Sequence, residues 1–373
     1  MKQKKTFYEI AEVVIAIEGS NECAEELRKY FEQEKIGSSN CTENFLIQVN
    51  MEDNIEERVE YWSLSKSIAF NEFEYRVNKK HFVYSVSNLF NKNEKTILRI
   101  NWKRKDSILN YLIGHLRPKG IGAYKNSEMF VDSVMNYEVF LYVFPFVLMK
   151  YNKVFIHSGV ITQGNEAVIM AGTSGCGKTS ALMEFLNRSG CKYVADDFGI
   201  LDSSGQAWFI PKKTAIYQSD AKYGNMHIVK ALKNISLKEK FFWQVFKLLG
   251  LNPRCRFSPY ELFNEVGISK KAKLKKLVYL TRKNTKDFNK TSITHEEITE
   301  RIMISSFREL KELNNILGNI RSDGDDDIRV NYPAMEILQE QYKTILYEAL
   351  KEVEVGLLEL PINAVPSDIV DNI

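Results

Sequence analysis

The sequence predicts an α/β (α+β) protein in which a smaller β-rich N-terminal domain precedes a domain built around a glycine-rich loop. Residues 1–130 contain short strands separated by polar turns. Farther along, the apolar strand Val168–Ala171 runs into a loop of closely spaced glycines and then into a helical pattern. Toward the C-terminus, helical patterns at 296–320 and 334–353 alternate with strand patterns at 275–280 and 356–361. We therefore expect a domain at 1–130 and a second at 131–373 with helical C-terminal additions.

Alternation of apolar and polar residues identifies the strands of the N-terminal domain, because successive side chains of a strand point to opposite faces. The clearest runs are Asn44–Val49, His81–Val86 and Thr96–Trp102. A helix is expected at about 106–116, where isoleucine and leucine recur at helical spacing.

The most apolar stretch of the chain is Val139–Met149. A membrane-spanning helix needs roughly 20 apolar residues, and this run is about half that length and contains Pro145. We expect a buried helix over 130–150 and no membrane anchor. A strand at Lys153–Val160, which includes His157, is predicted to follow.

Charge and cysteine content restrict the class of protein. The 373 residues include 51 basic and 48 acidic side chains, a net charge of +3, so neither nucleic acid nor an anionic membrane is an expected partner. The five cysteines are odd in number and lack metal-ligand spacing. Glu9 and Glu12 interrupt the N-terminal apolar stretch, which excludes a signal peptide. These features indicate a cytoplasmic protein with reduced thiols.

The segment Gly172–Thr179 fits the pattern GxxxxGK[ST] in its strand–loop–helix context. Glycines let the backbone curl so that its N–H groups point at phosphate oxygens, and the helix N-terminus adds a positive dipole end. The lysine supplies a charge for the β- and γ-phosphates, and the threonine a hydroxyl for Mg²⁺. The residues predicted to bind a nucleoside triphosphate are Gly172, Thr173, Ser174, Gly175, Cys176, Gly177, Lys178, Thr179 and Ser180.

A pair of aspartates, Asp196 and Asp197, ends the apolar strand that begins at Lys192. A carboxylate beside a phosphate loop is suited to organise magnesium. Two adjacent carboxylates also allow a division of labour, in which one holds Mg²⁺ and the other accepts the proton of an attacking hydroxyl. Their mutual repulsion would raise one pKa.

The block Phe155–Val160, Val168–Thr179 and Gly190–Asp197 resembles the catalytic domain of HPr kinase/phosphorylase, with its His before Gly-Val, its G-x-S-G-x-G-K-[ST] loop and its Ala-Asp-Asp strand end. The resemblance implies the fold shared with phosphoenolpyruvate carboxykinases, a twisted mixed sheet flanked by helices. The first 150 residues resemble more loosely the β-rich extension of HPr-kinase-like proteins associated with lasso peptides.

The resemblance also implies roles. Asp196 would be the general base, Asp197 and Thr179 would hold Mg²⁺, Lys178 would contact the phosphates, and His157 would approach the phosphates or the catalytic aspartate. Family members are hexamers, so a homo-oligomer is a further expectation. The second family signature, a Glu-x-Arg-Gly strand, is missing, which puts HPr as the substrate in doubt. The arginines that could substitute for it are Arg254, Arg256 and Arg282.

The sequence therefore predicts a kinase that uses ATP and Mg²⁺ to phosphorylate a hydroxyl group of a peptide, a protein or a small molecule. One alternative is a sensor or scaffold that binds the nucleotide without transfer, and another is a carboxykinase. The basic amphipathic stretch 227–250 also leaves two interpretations open. It is either a helix packed on a core or a helix that binds a partner or a membrane surface.

Overall fold

A computed structural model describes residues 4–37, 41–50, 62–65, 68–79, 82–102, 127–217, 225–248, 254–324 and 326–373. The chain divides into two compact units. The first contains Met1–Arg117, Ile121–Tyr151 and Leu310–Glu340, and the second contains Pro118–Gly120, Asn152–Glu309 and Gln341–Ile373. Both units combine helices with a mixed sheet, so the α/β (α+β) class that the sequence predicts is confirmed. The chain passes from the first unit to the second near residue 151, about 20 residues later than the expected domain boundary. Residues 310–340 belong to the first unit again.

The sheet of the first unit has nine strands in the order β3-β1-β2-β4-β9-β8-β7-β6-β5. The pairs β2–β4 and β4–β9 are parallel, and the remaining pairs are antiparallel. All three strands predicted for this region are present, displaced by no more than one residue. The strands are β1 Lys5–Ile10, β2 Val13–Glu18, β3 Lys35–Ile36, β4 Phe45–Asn50, β5 Trp62–Ser65, β6 Ile68–Phe70, β7 Glu74–Asn78, β8 Phe82–Ser87 and β9 Thr96–Trp102.

The helices of this unit include the buried segment predicted at 130–150. It begins at Ser127, continues through a π-helical stretch Val134–Val143 and ends at Met149. Among the described residues, only Phe130–Met149 is long and apolar enough to cross a membrane, and 72% of it is buried inside the protein, as expected of a core helix. The predicted helix at 106–116 lies outside the described residues. The other helices are Glu22–Tyr30, Lys311–Asp323, Asp326–Asn331 and the start of Met335–Leu350.

Glu138 is a buried carboxylate in the π-helical stretch. Its Oε2 has no hydrogen-bond partner among the described residues, and the Lys79 ammonium lies 3.9 Å from Oε1. Burial raises the pKa of Glu138 to about 7, because the cost of removing the charge from water exceeds the attraction of Lys79. The first unit therefore contains a carboxyl group that folding favours in its protonated form.

Replacing Glu138 by Gln is expected to stabilise the protein in a pH-dependent way. The folded-state pKa is raised, so the folded state binds more protons than the unfolded state between about pH 4.5 and 7, and stability falls as pH rises through that window. E138Q should match the wild type in melting temperature near pH 4.5 and exceed it at pH 8, by up to about 3 kcal/mol of unfolding free energy. Thermal unfolding followed by circular dichroism at several pH values measures this. The exposed Glu72→Gln is the control, and a difference between E138Q and wild type that does not vary with pH contradicts the prediction.

The sheet of the second unit follows the order β10-β14-β15-β18-β12-β11-β13, and β20 pairs with both β18 and β19. The pairs β12–β18 and β18–β20 are parallel, and the others are antiparallel, which makes the sheet mixed. The strands are β10 Lys153–Ile156, β11 Ser158–Gln163, β12 Glu166–Gly172, β13 Cys191–Ala195, β14 Gly199–Asp202, β15 Gln206–Trp208, β18 Lys271–Lys283, β19 Asn289–Thr291 and β20 Glu354–Pro361.

The strand predicted at Lys153–Val160 is two strands in the structure. β10 pairs with β14, whereas β11 pairs with β12 and β13, so the chain changes its partners at His157. At the change, the His157 backbone N–H donates to the Ser306 hydroxyl at 3.4 Å. Because of this break, His157 is not paired in the sheet and its backbone contacts the helix His295–Arg308.

Helices cover the sheet of this unit. The predicted helical region 296–320 is His295–Arg308 followed by a separate helix of the first unit. A capping box begins His295–Arg308, in which the Thr294 hydroxyl accepts from the Glu297 N–H and the Glu297 carboxylate accepts from the Thr294 N–H. The remaining helices are Lys178–Phe185, Met226–Asn234, Leu237–Leu248, Pro259–Phe263, the end of Met335–Leu350 and Pro366–Asp371.

Two helices, Met226–Asn234 and Leu237–Leu248, form an excursion from the second unit. The strands on either side of it, β16 Thr214–Tyr217 and β17 Arg254–Phe257, pair antiparallel and close its base. The single amphipathic helix expected at 227–250 is two helices, Met226–Asn234 and Leu237–Leu248, because Ile235 takes an extended conformation.

Candidate functional site

The glycine-rich loop joins β12 to the helix Lys178–Phe185, which begins at the motif lysine. Gly172, Gly175 and Gly177 all have positive φ angles, of 146°, 80° and 104°. At Gly172 a Cβ would also collide with the carbonyl oxygen of Leu280 in the neighbouring β18. Only glycine satisfies both conditions there. The backbone thus has the curled form that suits successive N–H groups to an anion.

The Lys178 ammonium lies inside this loop. It donates to the carbonyl oxygens of Gly172 at 2.8 Å and Thr173 at 2.9 Å, and it lies 3.9 Å from the Cys176 sulfur. The lysine is buried, so its positive charge is held inside the curve of the loop backbone. This is a position from which an ammonium can neutralise bound phosphate oxygens.

Asp196 follows β13 and is joined to the loop helix by a hydrogen bond. The Thr179 hydroxyl donates to its Oδ1 at 2.9 Å. Burial, and then the nearby charge of Asp197, raise the pKa of Asp196 to about 6. The repulsion expected from the sequence is thus the second cause of the raised pKa of Asp196, after burial.

Asp197 has a different environment. Its φ of 71° is unusual for a residue with a side chain, and the side chain is 48% exposed. Its Oδ2 accepts a hydrogen bond from the buried Lys212 ammonium. Burial works to raise the pKa of Asp197, but the charge and hydrogen bond of Lys212 outweigh it and hold the pKa below its usual value. Asp197 is therefore the ionised and accessible member of the pair.

His157 lies between two carboxylates without forming an ion pair. Its Nε2 is 4.0 Å from Asp197 Oδ1, and its Nδ1 is 3.7 Å from Glu309 Oε1. Both distances are too long for good hydrogen bonds. Burial, followed by the positive charges of Lys178 and Lys212, lowers the pKa of His157 to about 4 despite the negative charge of Asp197. The imidazole is consequently neutral near pH 7.

The structure distinguishes among the three candidate arginines. Arg282, at the end of β18, lies beside the loop, and a Cβ on Gly177 would be 3.3 Å from its Nη2. Its guanidinium donates to the carbonyl oxygens of Pro361 at 3.1 Å and Ala364 at 3.5 Å. Arg282 thus holds the C-terminal segment against the loop. Arg256 lies in the β16–β17 ladder, and the side chain of Arg254 is outside the described residues.

The predicted site residues come together in the second unit. Asp196 accepts a hydrogen bond from Thr179 of the loop helix. The His157 imidazole lies between the carboxylates of Asp197 and Glu309. Sequence reasoning missed Lys212 and Glu309 as members of the cluster. The signal for Lys212 is a lysine that directly follows the apolar run Trp208–Pro211, and it is weak because nothing local shows that this lysine is buried.

The oxygen donors of the cluster fit a magnesium ion. Thr179 and Asp196 offer a hydroxyl and a carboxylate at one end of the loop helix, and Mg²⁺ is usually held by one or two carboxylates together with substrate phosphates. Within the described part of the chain, no group of three or more His, Cys, Asp or Glu side chains could hold a metal ion by itself.

Comparison of the chain with protein-family models and with curated proteins finds no match.

Proposed function

We propose that this protein is a kinase that transfers the γ-phosphate of ATP, with Mg²⁺, to a hydroxyl group. The observation that carries the proposal is the cluster around the glycine-rich loop. A buried lysine inside the loop, a threonine–aspartate hydrogen bond and a second, accessible aspartate paired with a lysine all lie in one unit. Phosphoryl transfer is catalysed mainly by positioning and charge neutralisation, and these groups supply both.

In this proposal the loop residues 172–180 bind the phosphates of ATP. The backbone N–H groups and Lys178 hold the phosphate oxygens, and Thr179 with Asp196 holds Mg²⁺. When bound, Mg²⁺ neutralises phosphate charge. Arg282 supports the loop from the C-terminal side. The twisted mixed sheet with a loop between β12 and its helix is compatible with the HPr-kinase and carboxykinase type of fold, which is part of the proposal.

The geometry favours an assignment of the metal-holding and proton-accepting roles to the two aspartates that is opposite to the one the resemblance implies. Asp196 is buried and already bonded to Thr179, so it is suited to the metal side. Asp197 is accessible and ionised, so it is suited to accept the proton of the attacking hydroxyl. Lys212 holds the Asp197 carboxylate through its hydrogen bond, and the neutral His157 lies beside that carboxylate, with Nε2 4.0 Å from Oδ1.

Incubation with γ-labelled ATP, Mg²⁺ and candidate hydroxyl acceptors tests the proposal. A kinase transfers label to the acceptor in every turnover. Tight nucleotide binding without transfer to any peptide, protein or small-molecule acceptor would instead identify a sensor. Transfer dependent on oxaloacetate would identify a carboxykinase.

Replacing Lys212 by Met is expected to lower kcat about a hundredfold with a small change in the KM for ATP, because the lysine holds the proposed proton acceptor Asp197 and not the bound nucleotide. Methionine retains an apolar stem that can pack on Phe198, over whose ring the ammonium lies at 5.2 Å. Steady-state kinetics with the labelled nucleotide measure both constants. Lys192→Met, at an exposed lysine, is the matched control, and an unchanged kcat in K212M removes Lys212 from the mechanism.

A further inference from the structure

The excursion between β16 and β17 carries a helix with apolar side chains on its outer surface. On Leu237–Leu248, Leu237 is 84% exposed, Phe241 is 64% exposed and Leu248 is 85% exposed. These residues are spaced four and seven positions apart, so they form a stripe along one side of the helix. The preceding helix adds the exposed Met226.

The opposite side of the excursion packs on the unit. Ile228 and Ala231 are buried in the core cluster that includes Leu182 and Phe185 of the loop helix, and Leu232, Ile235 and Trp243 pack against the same cluster. The interpretation of this stretch as a helix packed on a core is therefore met on the inner face of Met226–Leu248. Leu237, Phe241 and Leu248 lie on the exposed side of the excursion.

The excursion is attached to the candidate site at two points. The buried Asn225 caps Met226–Asn234 by accepting from the His227 and Ile228 N–H groups, and its amide donates to the Met183 carbonyl oxygen and to Asn187 at the end of the loop helix. At its other attachment, β16 begins two residues after Lys212. The excursion is thus joined to the C-terminal end of the loop helix, and the strand at its base follows Lys212 closely in sequence.

The positive charge of the two helices indicates which kind of partner would fit them. Residues 226–248 contain five lysines and one glutamate. Lys230 and Lys233 are exposed, and the Lys240 ammonium donates to the Lys233 carbonyl oxygen at 2.6 Å, which ties the two helices together. An apolar stripe flanked by lysines is complementary to an amphipathic segment with acidic flanks.

We propose that the outer face of Met226–Leu248 is a docking surface for an acidic amphipathic segment of a polypeptide that carries the acceptor hydroxyl. The proposal rests on the proposed kinase function, whose acceptor class it narrows to polypeptides. Docking beside the loop helix raises the local concentration of the hydroxyl near Asp197. The attacking hydroxyl oxygen forms the new bond to the γ-phosphorus, the bond to the β–γ bridging oxygen breaks, ADP leaves, and Asp197 receives the hydroxyl proton.

Binding of a designed peptide to the full-length protein tests the docking surface. The probe is a fluorescein-labelled amphipathic peptide of about four helical turns, with leucines at i, i+4 and i+7 spacing, glutamates elsewhere and one central serine. Its two controls are a scrambled peptide of identical composition and a peptide with lysine in place of glutamate. Fluorescence anisotropy at low and high salt reports affinity without requiring transfer.

The wild type is expected to bind the acidic peptide more tightly than either control, and less tightly at high salt. The Leu237→Ser/Leu248→Ser double variant should weaken binding at least about tenfold, and Lys230→Glu/Lys233→Glu about fivefold with a smaller salt dependence. Val266→Ser and Lys286→Glu, at exposed sites elsewhere in the unit, are the matched controls and should bind like wild type.

Several outcomes overturn the proposal. One is binding of the scrambled peptide as tight as that of the patterned peptide, and another is unchanged binding by the Leu237/Leu248 variant. Binding to phosphatidylglycerol-containing vesicles in place of the peptide would make the stripe a membrane surface. Loss of a concentration-dependent dimer in the Leu237/Leu248 variant, without peptide binding by wild type, would make it a self-association surface.

The same experiment separates failure of the docking surface from failure of the kinase function. Lys178→Ala should bind the peptide normally, because it alters only the loop. Leu237→Ser/Leu248→Ser should bind a fluorescent ATP analogue normally, which also shows that the variant is folded. Peptide binding without transfer in any condition would retain the docking surface and reject the kinase assignment.

Discussion

Lys178→Ala should abolish phosphoryl transfer while the protein stays folded. The Lys178 ammonium is buried inside the loop, 2.8 Å from the Gly172 carbonyl oxygen and 2.9 Å from that of Thr173. Removing it takes away the positive charge that the loop presents to phosphate oxygens, and the loss of such a charge in a site shielded from water costs at least about a hundredfold in rate. The effect should appear in both kcat and kcat/KM.

Transfer from γ-labelled ATP and binding of a fluorescent ATP analogue, measured side by side, check this expectation. Circular dichroism and thermal unfolding confirm that the variant is folded. Lys351→Ala, at an exposed lysine far along the sequence, is the control for loss of a surface charge. Normal transfer by K178A would falsify the assignment of the loop to the nucleotide.

The second large effect is expected when the two aspartates are replaced separately by asparagine. Asp197→Asn should lower kcat about 10²- to 10⁴-fold and leave nucleotide binding nearly unchanged, because it removes the proton acceptor and keeps the size of the side chain. Asparagine can still accept the hydrogen bond that Lys212 donates to Asp197. The structural disturbance is therefore small.

Asp196→Asn should have the opposite pattern. It keeps an acceptor for the Thr179 hydroxyl and removes a negative charge from the proposed metal side, so the Mg²⁺ concentration that half-saturates the reaction should rise. Titrations of activity with Mg²⁺ for wild type, D196N and D197N separate the two roles. If D196N instead loses kcat at saturating Mg²⁺ while D197N shifts the Mg²⁺ titration, the roles are those implied by the family resemblance.

The relation of sequence to fold differs between parts of the chain. Strands such as Thr96–Trp102 alternate apolar and polar residues, and their bounds follow from the sequence. Helix continuity is less local. The stretch 227–250 has one amphipathic pattern, yet Ile235 interrupts it, and Lys240 closes the first helix by bonding to the Lys233 carbonyl oxygen. A hydrophobic pattern reports which face is apolar, and it does not report where the backbone hydrogen bonds stop.

Domain organisation depended on contacts that are distant in sequence. The helical pattern at 296–320 gives no sign that His295–Arg308 belongs to one unit and Lys311–Asp323 to the other. Likewise Glu138 directly precedes the apolar run Val139–Met149 and lies in the same buried segment, but its raised pKa depends on how little Lys79 offsets the cost of burial. The balance between the cost of burying a charge and the attraction of a nearby opposite charge depends on distances between secondary-structure elements.

By itself the sequence determined the glycine-rich loop, its helix and the aspartate pair after β13, because each depends on residue types at short, fixed spacing. The tertiary structure decided the different environments of the two aspartates. The antiparallel pairing of β11 with β13 aligns Val160 with Ala195, and so brings the break at His157 near Asp197. The chain beyond β15 then returns Lys212 to the same carboxylate. These are contacts between residues 15 to 40 positions apart, and strand pairing, which no local pattern specifies, determines them.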